Sequence, residues 1–197
     1  MQEDAIRWNK RHSDVFMPKQ PSDILHTYQP LLESYAQKGS AQALDIACGN
    51  GRNAKFLAAL GFEVLGVDIS QVALDSLQGM EHITTLCADL DSFDIAKQTY
   101  DVVLNFYFLD RRLFAGIKHG VKSGGLVIFE TFCAIPKIYD KDIFCEFSAQ
   151  RSLKHAELQK VFRGWNIIYN TLNPLYRSVS ESAKSVYLTQ TFIAQKP

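Results

Sequence analysis

Long apolar runs are missing from this 197-residue chain. No stretch approaches the roughly 18 apolar residues that a membrane span requires. The opening segment, MQEDAIRWNKRH, carries charge where a secretion signal would carry an apolar core. Net charge is missing too. Lys+Arg and Asp+Glu stand at 21 each, so the basic excess that advertises a nucleic-acid binder is absent. The four cysteines, Cys48, Cys87, Cys133 and Cys145, form no CxxC pair, and no histidine lies at zinc-finger spacing to them. They read as reduced thiols of a cytoplasmic protein, with no metal site. No repeat and no low-complexity tract interrupts the chain. These absences point to one domain, residues 1–197, monomeric or homodimeric, without a membrane or nucleic-acid partner. A chain of this length buries a single core without a disulfide or metal staple.

Hydrophobic residues, 47% of the chain, are arranged in two rhythms. Residues 1–40 read as a helical cap. Residues 2–12 suit a short polar helix. Ser22 caps a second helix in which Ile24, Leu25, Tyr28, Leu31, Leu32 and Tyr35 recur at helical spacing, with a kink or fresh start at Pro30. From residue 42 short apolar strands alternate with helices. Strands are expected at 43–48, 62–67, 83–87, 100–108 and 126–129, with helices at 54–60, 70–77 and 110–121. That alternation implies a doubly wound α/β sheet, mostly parallel, with right-handed crossovers and helices on both faces. Residues 133–150 mix aromatics with charge and suit a substrate lid. A helix over 152–162 follows, stopped at Gly164. Strands at 165–172 and 186–194, joined by a loop through Asn173 and Pro174, close the chain as an antiparallel hairpin.

The densest chemical signal is Leu44-Asp45-Ile46-Ala47-Cys48-Gly49-Asn50-Gly51-Arg52-Asn53. A strand that stops at a glycine-rich turn before a helix leaves backbone N–H groups pointing outward, and glycine lets a ligand lie against bare backbone. Gly49, Gly51 and Ala54 also satisfy the dinucleotide spacing G-x-G-x-x-G/A, with Asp68 where a ribose-binding acid belongs. By itself this constellation admits a nicotinamide-dependent oxidoreductase. That enzyme would need a substrate domain or a Tyr-x-x-x-Lys pair, and the sequence holds neither.

The flanking residues separate the readings. Asp45-Ile46-Ala47-Cys48-Gly49-Asn50-Gly51 resembles the first motif, D-x-x-C-G-x-G, of class I S-adenosylmethionine-dependent methyltransferases. Gly66-Val67-Asp68-Ile69-Ser70 resembles their second segment and Ala88-Asp89 their third. Tyr100-Asp101-Val102-Val103 and Gly124-Gly125-Leu126 resemble the fourth strand and the turn before the fifth. The likeness covers about residues 42–132, and Trp8-Asn9-Lys10-Arg11, Phe108-Leu109-Asp110-Arg111 and Glu130-Thr131-Phe132 are similar to small tellurite-resistance-type and thiopurine-type members. It implies a Rossmann-like, seven-stranded sheet and S-adenosyl-L-methionine as cofactor. Asp68 would then take the ribose diol, and Asp89 the adenine amine, with Ala88 or Leu90 on the ring. Ile69 flanks the diol, while Ala47, Cys48, Gly49 and Gly51 receive the methionyl end and Asp45 its ammonium. Each acid alone also suits a helix cap or loop residue, Asp89 more so than Asp68. Trp8 and Arg11, on a helix folding over the cofactor, and Asn105 and Phe106, at the fourth strand's tip, complete the set.

Methyl transfer needs alignment and water exclusion more than acid–base chemistry. Tyr107 and Glu130 are the candidates where an acceptor must lose a proton. Phe132, Tyr139 and Phe144 suit an aromatic lid. The expected partner is a small-molecule methyl acceptor. A domain that binds S-adenosylmethionine without turnover shares the same sequence features. None of the five histidines, His12, His26, His82, His119 and His155, stands out as catalytic.

Overall fold

In the computed structural model, residues 2–14, 17–37, 39–136, 144–145, 147–178 and 184–197 are described. Seven strands form one sheet: β1 (Gln42–Ile46), β2 (Glu63–Asp68), β3 (Ile83–Cys87), β4 (Tyr100–Phe106), β5 (Val121–Phe132), β6 (Asn166–Ser178) and β7 (Lys184–Gln195). Their order is β3-β2-β1-β4-β5-β7-β6. β1 to β5 run parallel, while β7 lies antiparallel between β5 and β6. The order reverses between β1 and β4, and ligands of open α/β sheets bind at the carboxyl ends beside such a reversal.

Helices α1 (Gln2–Asp14), α2 (Asp23–Thr27), α3 (Gln29–Ala36), α4 (Arg52–Ala59), α5 (Gln71–Asp75), α6 (Leu113–Gly120) and α7 (Glu157–Val161) surround the sheet. Central strand residues alternate between two cores, as the pleat requires. Leu44, Ile46, Val103, Val127 and Phe129 pack with Leu113, Ile117, Leu158 and Phe162. Ala43, Val102, Leu104, Leu126 and Ile128 pack with Leu25, Leu32, Ala54 and Leu57 on the other face. The four largest fully buried side chains, Phe62, Phe129, Phe162 and Phe192, are divided between these cores. Among the described residues no helix is long and apolar enough to cross a membrane.

Local chemistry explains where the elements differ from the sequence pattern. The expected second helix is two, because Pro30 sits in the first turn of α3 and Tyr28 breaks the run. Ser22 makes no side-chain cap bond. α6 starts three residues later than expected, since the Asp110 carboxylate accepts from Arg112 N at 2.9 Å and holds a turn there. The helix expected over 152–162 shrinks to α7. Leu153 N donates to Phe132 O at 2.9 Å and Ala134 N to Leu153 O at 2.8 Å, so 152–153 extends β5's edge instead of coiling. The loop expected at Asn173 and Pro174 is strand. β6 pairs through Asn173↔Thr189 and Pro174↔Leu188, and it lies at the sheet's edge, where a proline need not donate to the ladder. Tyr139 of the expected lid lies outside the described residues.

Candidate cofactor and acceptor site

Two strand tips at the order reversal carry strained backbone. Ala47 follows β1 with φ 54°, and Tyr107 follows β4 with φ 55°. Left-handed backbone at a residue with a Cβ costs of order 1–2 kcal/mol and persists where the surroundings enforce it. Ala47 leads into Cys48, Gly49 and Gly51, the latter two also left-handed. Tyr107 N donates to Glu130 O at 2.7 Å, so the turn prolongs the β4–β5 ladder and carries the phenol toward β5.

Between these turns lie two buried polar atoms with no hydrogen-bond partner among the described residues: Asp45 Oδ2, on β1, and Asn105 Oδ1, on β4. Their strands are neighbours, with Asn105 opposite Ile46. Burial pushes the Asp45 carboxyl up to about 7; the Arg52 guanidinium and the Ala54 N–H oppose the rise, and Asp68 adds to it. A carboxylate oxygen left without a donor away from water is costly, so this site is complete only when a donor reaches Oδ2.

Asp68 ends β2 beside the same turn. Its Oδ2 accepts from Gly49 N at 2.8 Å and its Oδ1 from Ser70 N at 2.9 Å. A carboxylate offers about four acceptor positions, so both oxygens retain capacity for a diol. Asp89 lies at the next strand end, and Ala88 N donates to Asp68 O, which places the two acids on one rim. Asp89 Oδ1 accepts from Asp91 N at 2.9 Å, as a turn aspartate does. Ile69 sits on this rim and its carbonyl accepts from the Cys87 thiol.

Several expected contacts resolve differently. The Cys48 side chain packs with Leu74 and Leu77, and a Cβ on Gly66 would come within 3.0 Å of its sulfur. Burial raises its thiol pKa far above the ordinary range, and the thiol donates to Gly49 O within the turn. A methyl at Gly51 would overlap the Leu77 side chain. That glycine lets the start of α4 pack against Leu77. Phe106 turns into the core under α2–α4, and Leu90 into the core under α6. Trp8 and Arg11 meet each other, guanidinium to ring at 5.8 Å.

The structure adds residues the sequence pattern did not single out. α1 rests on α5 through Asn9, whose Oδ1 accepts from Ser70 Oγ at 2.8 Å and Val72 N at 3.3 Å. His12 then lies over the glycine turn: a methyl on Gly49 would come within 3.3 Å of its Cε1. The crevice above Gly49 thus holds one imidazole. Beyond the β4 tip Glu130 accepts from Tyr107 OH at 2.6 Å and Ser22 Oγ at 2.8 Å. Phe132 stacks on Phe147 at 3.9 Å, with Tyr107 and Tyr187 at its edges. Arg111 braces the neighbouring segment through a bidentate pair with Glu157 and bonds to Gln150 O and Ser152 O. Spacing alone does not reveal such partners, because each joins segments far apart in the chain. Cavities of about 390 Å³ beside Phe114, Lys118 and Trp165 and about 160 Å³ beside Cys133 and Gln190 lie away from the glycine turn.

Comparison with known proteins follows this geometry. Residues 43–125 match a methyltransferase-domain family. The chain is 24% identical over 184 residues to Hemagglutinin 1 of Eikenella corrodens, covering 87% of this chain and 60% of that protein. It is 33% identical over 122 residues to a ubiquinone biosynthesis O-methyltransferase of Burkholderia multivorans, covering 54% of this chain and 53% of the relative. It thus spans little more than half the length of these two relatives. The crystal structure of TehB from Haemophilus influenzae superposes with a TM-score of 0.71 at 17% identity, covering 98% of this chain and 67% of TehB. Residues 43–125, which carry the glycine turn, Asp45, Asp68 and the β4 tip, are thus similar to a methyltransferase domain, and the chain has the fold that TehB shares.

Proposed function

We propose that this chain transfers a methyl group from S-adenosylmethionine to a small-molecule acceptor by in-line displacement. The observation that carries the reading is the pair of unpartnered buried oxygens, Asp45 Oδ2 and Asn105 Oδ1, at adjoining strand tips beside two strained turns. Asp45 suits an ammonium, which removes the cost of its buried charge. Asp68 suits a ribose diol and remains locked by Gly49 and Ser70 while it binds. Asn105 lies on β4, whose tip leads on to Tyr107 and the Phe132–Phe147 wall. Ala88 and Asp89 occupy the rim that suits the adenine.

S-adenosylmethionine supplies an electrophilic methyl on a sulfonium whose leaving group is already activated. The protein's work is therefore to align the acceptor and keep water out. The stacked and edge-on rings of Phe132, Phe147, Tyr187 and Tyr107 make an apolar wall for a compact acceptor. Where that acceptor carries a proton, Tyr107 receives it and passes its own to Glu130 along the 2.6 Å bond. Ser22 holds the second Glu130 oxygen and fixes the carboxylate in that pose.

The test is S-adenosylhomocysteine release over a panel of thiols, phenols, metalloid oxyanions and amines. Turnover with one class, lowered in Glu130→Gln, supports the proposal. Cofactor binding with no turnover across the panel would favour a binding domain.

A further inference from the structure

α1 is the loosest helix on this rim: none of its residues is buried. It is hooked to α5 through two bonds to Asn9 Oδ1. Ser70, which donates one of them, also caps α5 by accepting from Ala73 N at 3.2 Å. The anchor point therefore lies two residues beyond Asp68. His12 follows Asn9 by three residues, on the same helix face. Its ring lies within 3.3 Å of where a Gly49 side chain would begin. It is half-buried there, and burial lowers its pKa below the ordinary value against the pull of Asp68. Gly49 N, the turn's outward donor, is engaged by Asp68. Turn and crevice are thus both closed by groups of this chain, one a backbone lock and the other a side chain on a helix none of whose residues is buried.

We propose that His12 is a displaceable plug of the methionyl end of the cofactor site, carried on a helix that stays hooked to α5 through Asn9. The proposal rests on the methyltransferase reading of the turn. Cofactor entry requires the imidazole to leave the space above Gly49. The Asn9 hook keeps α1 beside the rim, so the helix covers the bound nucleoside once His12 has moved. His12 sets the rate of entry and Asn9 the rate of escape.

Stopped-flow binding of S-adenosylhomocysteine to the full chain separates the two roles. Trp8 is the local reporter, its ring 6.2 Å from that of His12. Removing the plug raises the population competent to bind, so His12→Ala should speed association roughly three- to tenfold with an unchanged dissociation rate. His12→Gln restores bulk and should return association to the wild-type rate. Asn9→Ala should speed dissociation by a similar factor. Equal association rates in wild type and His12→Ala overturn the plug, as does weaker binding in His12→Ala, which would make His12 a ligand. Wild type that fails to bind S-adenosylhomocysteine overturns the cofactor reading as well. A wild type that binds, with all three variants matching it, overturns the plug and the hook alone.

Discussion

Replacing Asp45 with asparagine isolates the buried carboxylate on which the site turns. The substitution keeps shape and the acceptor for Ala54 N–H while removing charge. The native carboxyl titrates at about 7, against an ordinary value of 3.8. Between those values the native state holds a proton that the unfolded chain has lost, so stability falls as pH rises toward 7 and levels off above it. At 1.36 kcal/mol per pH unit, moving from about pH 5.5 to about pH 8 removes about 2 kcal/mol. For a chain of this size that is roughly 4–8 °C in Tm. Thermal unfolding at both pH values should show this drop in wild type and lose it in Asp45→Asn. S-adenosylhomocysteine should bind wild type more tightly as pH rises through 7, because its ammonium selects the ionised carboxylate. Asp45→Asn should bind roughly ten- to a hundredfold more weakly at about pH 8, as expected for a lost charged hydrogen bond. Parallel pH slopes in the two proteins would refute the reasoning.

Other perturbations test neighbouring parts. Asp68→Ala removes the lock on Gly49 and Ser70 and should abolish most of the thermal shift given by S-adenosylhomocysteine; an unchanged shift would remove Asp68 from the site. Gly51→Ala places a methyl on Leu77 at a left-handed φ of 68° and should cost about 2–4 kcal/mol in urea unfolding. Glu130→Gln should lower kcat by roughly a hundredfold or more for a proton-bearing acceptor while leaving cofactor affinity unchanged. Arg111→Met unties Glu157, Gln150 O and Ser152 O, and limited proteolysis should then cut more readily near 148–156.

The parallel core was legible because each strand is a short apolar run ending at an acid or a glycine turn. Asp45, Asp68 and Asp89 mark three such ends, and the sheet brings those ends to one rim. The helix pattern over 152–162 misled because a backbone partner 21 residues from Leu153, Phe132, outweighs the weak local preference of Ser152 and Leu153. Pro174 misled because proline forbids only a central strand, and its edge position is a property of the whole sheet. The two glycines of the turn look alike in sequence, yet one faces Leu77 and the other an imidazole. Nothing in the spacing marks His12 or Phe147, and it offers Ser22 only as a helix cap; their roles arise from contacts across the fold.

The proposed function requires the turn between β1 and α4, with Asp45 and Asp68, to receive S-adenosylmethionine. Isothermal titration of the full chain with S-adenosylhomocysteine and, separately, with NAD tests this. One-site binding of S-adenosylhomocysteine is expected, weakened in Asp45→Asn and Asp68→Ala, with no heat from NAD. Binding of NAD alone, or S-adenosylhomocysteine binding that neither substitution weakens, would contradict it.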